Sequence, residues 1–271
     1  MPTDRSPSPA SGGWFSTNPD KAWVEKLFLL YSPVWMAAMG LQILVGADQR
    51  WSDGALLAFS FGVALGSVLL PLALSRRYTR TPWHKSYWFK ATLYLTVFQV
   101  FGSYFGSEYF FDVLGMVYRF PTVTTTLDST LVGSGKQAVP LIMYPWAQVY
   151  FLTYHATSNV VLRKLRGLGG GPVAFALCVA AIGYAWAFLE TRAMANPLLA
   201  ATFTYRKLDV MLAWGSAIYA TYFVCSFPIY YFLDEDADRP WTWWQAVAGA
   251  LSASMLTLFL LDLSARWVGT L

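Results

Sequence analysis

Apolar runs separated by short polar breaks set the architecture. A helix needs about 20 mostly apolar residues to cross the hydrocarbon core of a bilayer, and seven stretches approach that length: 27–46, 54–74, 91–107, 139–162, 172–189, 210–233 and 243–261. The third can run on towards Tyr118 and the fifth towards Asn196, so the pattern predicts about seven spans within a range of six to eight. The expected fold is an all-α, polytopic transmembrane helical bundle forming a single domain over 18–271. Before it, residues 1–17 are rich in Pro, Ser, Thr and Gly, lack an apolar run, and are expected to form a disordered tail. The polar stretch 121–137 predicts an outer loop. Gly169-Gly170-Gly171-Pro172 predicts a tight break before the fifth span, with Pro in the first helical turn. That glycine run follows neither a P-loop nor a GxGxxG pattern, and no internal repeat suggests an inverted-repeat transporter.

Composition agrees with a lipid-embedded chain: 56% of residues are hydrophobic and the mean hydropathy is +0.42. The net charge of +4 is no sign of nucleic-acid binding, because the basic residues group where the positive-inside rule wants them. Arg76, Arg77, Arg80, Lys85 and Lys90 cluster after the second span, and Arg163, Lys164 and Arg166 after the fourth. Placing both groups in the cytoplasm puts the N-terminus there too. The acidic run 234–238 then lies on the same side, where Asp234 and Glu235 are expected to be solvated. Cys178 and Cys225 each fall inside a span, and His84 and His155 are the only histidines, so neither a disulfide framework nor a metal site is predicted.

Several blocks resemble the cycloeucalenol cycloisomerases, which open the cyclopropane ring of 9β,19-cyclosterols. They begin with Asn18-Pro19-Asp20-Lys21-Ala22-Trp23 and Tyr31-Ser32-Pro33-Val34-Trp35. SYWFKATLYL (86–95), GSYFGSEYFFDVLGMVYRFP (102–121), YHATSNVVLRKLR (154–166), FLETRAMAN (188–196) and IYATYFVCSFPIYYFLDE (218–235) follow. The resemblance covers most of the chain. It implies an all-helical membrane isomerase that converts a 4α-methyl 9β,19-cyclosterol such as cycloeucalenol to a Δ8 sterol. It also implies no redox cofactor and no metal, with membrane lipid and the sterol as partners. The location implied is the endoplasmic reticulum membrane in a eukaryote, or the inner membrane in a bacterium. There are departures: the plant members carry histidines where this chain has Leu141 and Gln148, and basic residues where it has Glu108 and Asp112. Those four positions inherit no family role.

Opening a cyclopropane means protonating a C–C bond, a very weak base. The reaction needs a neutral acid held in an apolar site, which burial favours by penalising the charged form, and it must lie within reach of the ring. Aromatic faces can stabilise the transient cation by about 2 kcal/mol when desolvated. Tyr94, Phe98, Phe101, Tyr104 and Phe105 recur at helical spacing through the third span, where they line a flat cavity or simply pack between helices.

Glu190, at the end of the fifth span, is the first candidate for the acid; its bland alternative is an outer salt bridge with Arg192. His155 is the candidate proton relay, proton acceptor or hydroxyl anchor, with Asn159 four residues on and hence on the same face. A satisfied interhelical hydrogen bond would equally account for it. Tyr104, Tyr154, Asn159 and Asn196, from the resembling blocks, are the expected substrate-binding residues. Depth separates the two leading candidates. At 1.5 Å per residue His155 lies roughly 10 Å from the inner end of its span, whereas Glu190 lies near the outer end of its own. Either a helix is broken, or one residue anchors the sterol while the other moves the proton. Glu108 and Asp112, spaced i,i+4, can share a proton but are read first as outer-rim charges meeting Arg119 or Arg192. Two rivals stay open: a sterol-binding or sterol-transport protein without chemistry, and a proton-coupled transporter relaying through Glu190 and His155.

Overall fold

The computed structural model describes residues 13–270, and these form a helical bundle. Asn18 starts α1 (Pro19–Leu44) by accepting the Asp20 N–H at 3.0 Å, with Pro19 in the first turn. A left-handed Gly46 turns the chain into the short α2 (Ala47–Arg50), and α3 (Asp53–Tyr78) returns across the bundle. Next come α4 (Tyr87–Phe101), a π-helical turn (Gly102–Gly106), α5 (Ser107–Leu114) and strand β1 (Met116–Tyr118). After the polar loop, α6 (Met143–Arg166) and α7 (Gly171–Met194) lead to β2 (Phe203–Tyr205). The last segments are α8 (Leu208–Val210), a second π-helical turn (Met211–Gly215), α9 (Ser216–Phe232) and α10 (Trp243–Val268).

Five helical segments, not seven, are individually long and apolar enough to cross a membrane: Pro19–Leu44, Asp53–Tyr78, Gly171–Met194, Leu208–Phe232 and Trp243–Val268. They make this an integral membrane protein. The two other predicted spans are helical, but the first is interrupted by the π-turn and the second, α6, is the polar centre of the bundle. Helix α6 touches α1, α3, α4, α7 and α9, and 16 of its 24 residues are buried. Surrounded by protein, it can carry Gln148, His155, Asn159 and Arg163 without exposing them to lipid. Helix α7 shows the opposite pattern. It buries only Val179, Gly183, Ala187 and Thr191 and turns Val173, Leu177, Tyr184 and Leu189 outward.

At the end carrying the basic clusters, the bundle is closed by ion pairs rather than by solvated charges. Arg163 forks onto both Glu25 oxygens at 2.9 and 2.7 Å and onto both Glu235 oxygens at 2.6 and 2.8 Å. Lys21 reaches Glu235 at 2.9 Å and the carbonyls of Tyr231 and Leu233 at 2.6 and 2.7 Å. Asp234, fully buried, pairs with Lys90 and accepts the Trp241 N–H at 2.7 Å. The expected solvation of Asp234 and Glu235 is thereby overturned. Folding brings the starts of α1 and α4, the end of α6 and the α9–α10 loop to one place, so each carboxylate meets a cation. Most of the tail 1–17 lies outside the described residues. Its last part is held here, where Arg163 donates to the Trp14 carbonyl at 2.9 Å and the Ser16 N–H to Glu25 at 3.3 Å.

Burial alone would push the Glu235 carboxyl up, but Arg163 and Lys21 outweigh it and hold it at about 2, below the usual 4.5. The folded-state value is depressed, so the stabilisation is present above pH 4.5 and is lost as pH falls towards 2. Thermal unfolding in detergent, followed against pH, is therefore expected to fall less steeply across that window for Glu235→Gln than for the parent. Parallel curves would show that Glu235 is not held by its partners.

At the opposite end, β1 and β2 pair antiparallel in the register Met116↔Tyr205, Val117↔Thr204 and Tyr118↔Phe203. This ribbon departs from the expected all-α pattern. Gly115 (φ 68°) ends α5 in the left-handed region and directs the chain into it. Bonds from Arg119 N–H to Thr202 O and from Arg206 N–H to Gly115 O, each 2.7 Å, extend it.

Candidate active site

Beneath the ribbon the helices part around a cavity of about 1240 Å³, counted with its open mouth. Its walls come from the end of α1, α2, the first π-turn, the start of α6, the end of α7, the ribbon and the start of α9. Most lining groups are apolar or aromatic, including Phe110, Trp146, Phe151 and Phe203, and the tyrosines 118, 150, 205, 219 and 222 add hydroxyls. Large, apolar and furnished with a few polar groups, it has the character of a small-molecule site.

The π-turn shapes one wall. Tyr222 lies across it and donates to the Gly102 carbonyl at 3.2 Å. A Cβ at Gly106 would stand 1.6 Å from the Tyr222 hydroxyl, and one at Gly102 2.8 Å from its ring, so this close approach requires glycine at both positions. Such π-turns often mark functional places in helices.

Glu190 projects from the last turns of α7 into the cavity. The side chains of Tyr154 and Tyr219 lie close enough to its carboxyl to interact with it electrostatically, and Oε2 is buried without a partner. No ion pair forms between Glu190 and Arg192 among the described residues. Two residues apart on a helix, they point in different directions, and the Arg192 guanidinium lies 5.1 Å from the Phe188 ring instead. The salt-bridge alternative is overturned, leaving an uncompensated carboxyl against an aromatic cavity.

The structure does not bring His155 to this cavity wall. Its Nδ1 lies 2.7 Å from the Phe151 carbonyl, which can only accept, so Nδ1 carries the proton and Nε2 accepts from the Ser226 hydroxyl at 2.9 Å. Rings of Tyr94, Phe98, Phe151, Phe227 and Tyr230 enclose it with centroids 4.9–6.1 Å away. Both nitrogens are used, Nδ1 within α6 and Nε2 in joining α6 to α9. Asn159 likewise faces the ion-pair end, donating to Glu25 at 3.3 Å and Tyr87 at 3.4 Å. Tyr104 packs on Phe105, and Asn196 caps the turn Pro197–Leu199 through the Leu198 N–H at 2.9 Å. Of the expected substrate-binding residues, Tyr154 lies near Glu190; it also packs on Trp186 and Phe223.

Glu108 and Asp112 border a separate depression with Asp262 and Arg266. Asp112 accepts from the Ser134 N–H at 2.8 Å and hydroxyl at 2.5 Å, so neither Arg119 nor Arg192 is its partner. Among the cavity residues that escaped the sequence reading are Gln42 and Asp48. Their signal was faint: one amide in the apolar run Gly40–Val45, and one acid just past the turn that ends it.

The comparisons with known proteins complete this picture. The chain is 32% identical over 267 residues to cycloeucalenol cycloisomerase of Arabidopsis thaliana, covering 94% of this chain and 89% of that protein. It belongs to the cycloeucalenol cycloisomerase family. No family model matches the sequence, and no solved structure matches the fold. For this member of the cycloeucalenol cycloisomerase family, the aromatic cavity and Glu190 become the place to look for chemistry, and the His155 layer becomes part of the frame.

Proposed function

We propose that this protein opens the 9β,19-cyclopropane ring of a cyclosterol such as cycloeucalenol, giving the Δ8 isomer, with Glu190 as the general acid. The observation that carries the proposal is an unpaired carboxyl, Glu190, facing an aromatic-lined cavity inside a membrane protein of this family. In the proposed reaction the Glu190 proton goes to C19 as the C9–C19 bond breaks, forming the methyl group and leaving a tertiary cation at C9. Tyrosine and phenylalanine faces stabilise that cation without adding to it. The glutamate left behind then takes the proton from C8, the C–H electron pair becomes the C8–C9 double bond, and the acid is restored. Atoms and electrons balance without an oxidant or reductant. In this reading Tyr154 and Tyr219, beside the carboxyl, hold it in place.

A proton relay linking Glu190 to His155 is the weaker reading, because both His155 nitrogens are occupied and aromatic rings surround them. The test is an assay of purified protein in liposomes with cycloeucalenol in D₂O. With the Glu190 proton exchanging with solvent between turnovers, the expected product is a Δ8 sterol carrying one deuterium in the newly formed methyl group. Binding without any conversion of this or closely related cyclosterols would reject the isomerase in favour of a sterol-binding protein.

A further inference from the structure

Gln42 and Asp48 form a buried polar pair in the cavity wall, on different elements from Glu190. Met39, Gln42 and Ile43 share the cavity-facing side of α1 at i, i+3 and i+4, and Asp48 follows on α2 beyond the left-handed Gly46. Each of the pair is 5% exposed. The Gln42 amide nitrogen donates to Asp48 Oδ1 at 3.2 Å. A carboxylate only accepts, so this bond fixes which end of the amide is which. Gln42 Oε1 is then turned away from Asp48 and has no partner. Asp48 forms no ion pair among the described residues. Gln49 secures this wall, donating to the carbonyls of Arg119 at 3.3 Å and Ala201 at 3.5 Å.

A buried acceptor without a partner is costly, and the apolar neighbours Met39, Ile43, Leu199 and Phe203 cannot satisfy it. What the pair lacks is a donor. We infer that Gln42 and Asp48 form a hydroxyl-reading subsite that takes the O–H of a 3β-hydroxysterol as donor and discriminates against the 3-oxo form. A ketone only accepts, so it would leave Gln42 Oε1 without a donor. A site built to bond a hydroxyl rejects analogues lacking it more strongly than an apolar wall rejects an extra group. The inference rests on the sterol reading above and adds a second fixed point. With the hydroxyl held at α1–α2 and the acid on α7, the ring system has a defined orientation towards Glu190.

Dissociation constants for 3β-hydroxy, 3-oxo and 3-deoxy forms of one cyclosterol, measured by tryptophan fluorescence on the parent protein in nanodiscs, test this directly. The hydroxysterol is expected to bind about 10- to 100-fold more tightly than the ketone. Gln42→Leu and Asp48→Asn are each expected to reduce that preference at least about fivefold. Equal binding of alcohol and ketone by the parent would overturn the subsite, as would retention of the preference in both variants. Turnover without the preference would remove the subsite and leave the isomerase standing. The preference without turnover would do the reverse. The ligand series on the parent protein needs no variant to fold.

Discussion

Glu190→Gln is expected to lower kcat for ring opening by about 1000-fold, or roughly 4 kcal/mol of transition-state stabilisation, with sterol affinity little changed. Glutamine keeps the shape of the side chain beside Tyr154 and Tyr219. It cannot deliver a proton to carbon. The bundle should tolerate the change, because Glu190 makes no ion pair among the described residues and one of its oxygens is already unpartnered. Replacing the carboxyl leaves no cation stranded. Tyr154→Phe and Tyr219→Phe are the natural comparison: each removes one orienting hydroxyl and leaves the acid. Initial rates by mass spectrometry and affinities on the same preparations separate chemistry from binding. Near-normal turnover by Glu190→Gln would exclude Glu190 as the acid and direct attention to Asp48, the other carboxyl on the cavity wall.

The membrane character was legible, and Glu190 stood out as a candidate, because each has a local signature. Apolar runs of about 20 residues mark the lipid-facing helices, and a glutamate ending such a run stands out. What the sequence hides is which neighbours a side chain meets. Helix α6 reads as one more span, yet it is the shielded hub, and only its position explains how Arg163 can be buried. Asp234 and Glu235 sit in an acidic run that reads as solvated, because their cations Lys90, Lys21 and Arg163 lie far away in sequence. His155 and Asn159 share a face with each other but not with Glu190: one supports the α6–α9 contact and the other the ion-pair end. Gln42 and Asp48 needed the turn at Gly46 to bring them together. Periodicity places residues on faces; only the assembled bundle decides what each face sees.

The second large effect belongs to that ion-pair end. Arg163→Met is expected to destabilise the protein by about 3–5 kcal/mol, because breaking a buried pair from one side leaves the other charge uncompensated. Arg163 and Glu25 are 2% and 1% exposed, and the guanidinium bonds both oxygens of Glu25 and both of Glu235. Without it Glu25 keeps only weak donors, Asn159 at 3.3 Å and the Ser16 N–H at 3.3 Å. Glu235 retains Lys21 at 2.9 Å, so the stranded charge is chiefly that of Glu25. In a thermal melt in detergent, a loss of that size corresponds to a fall in Tm of roughly 10 °C. Arg163→Lys keeps the charge but not the planar fork and should fall between parent and methionine variant. Adding Glu25→Leu to Arg163→Met removes the stranded carboxylate, so the double variant is expected to melt above Arg163→Met alone. That ordering distinguishes an uncompensated charge from lost packing, since packing loss alone would make the double variant worse. If Arg163→Met melted with the parent, the cluster would have to be open to water. Helices α6 and α9 would then be held together chiefly by the aromatic layer around His155, and α1 to α6 by Ser32 and Trp35 on Thr153.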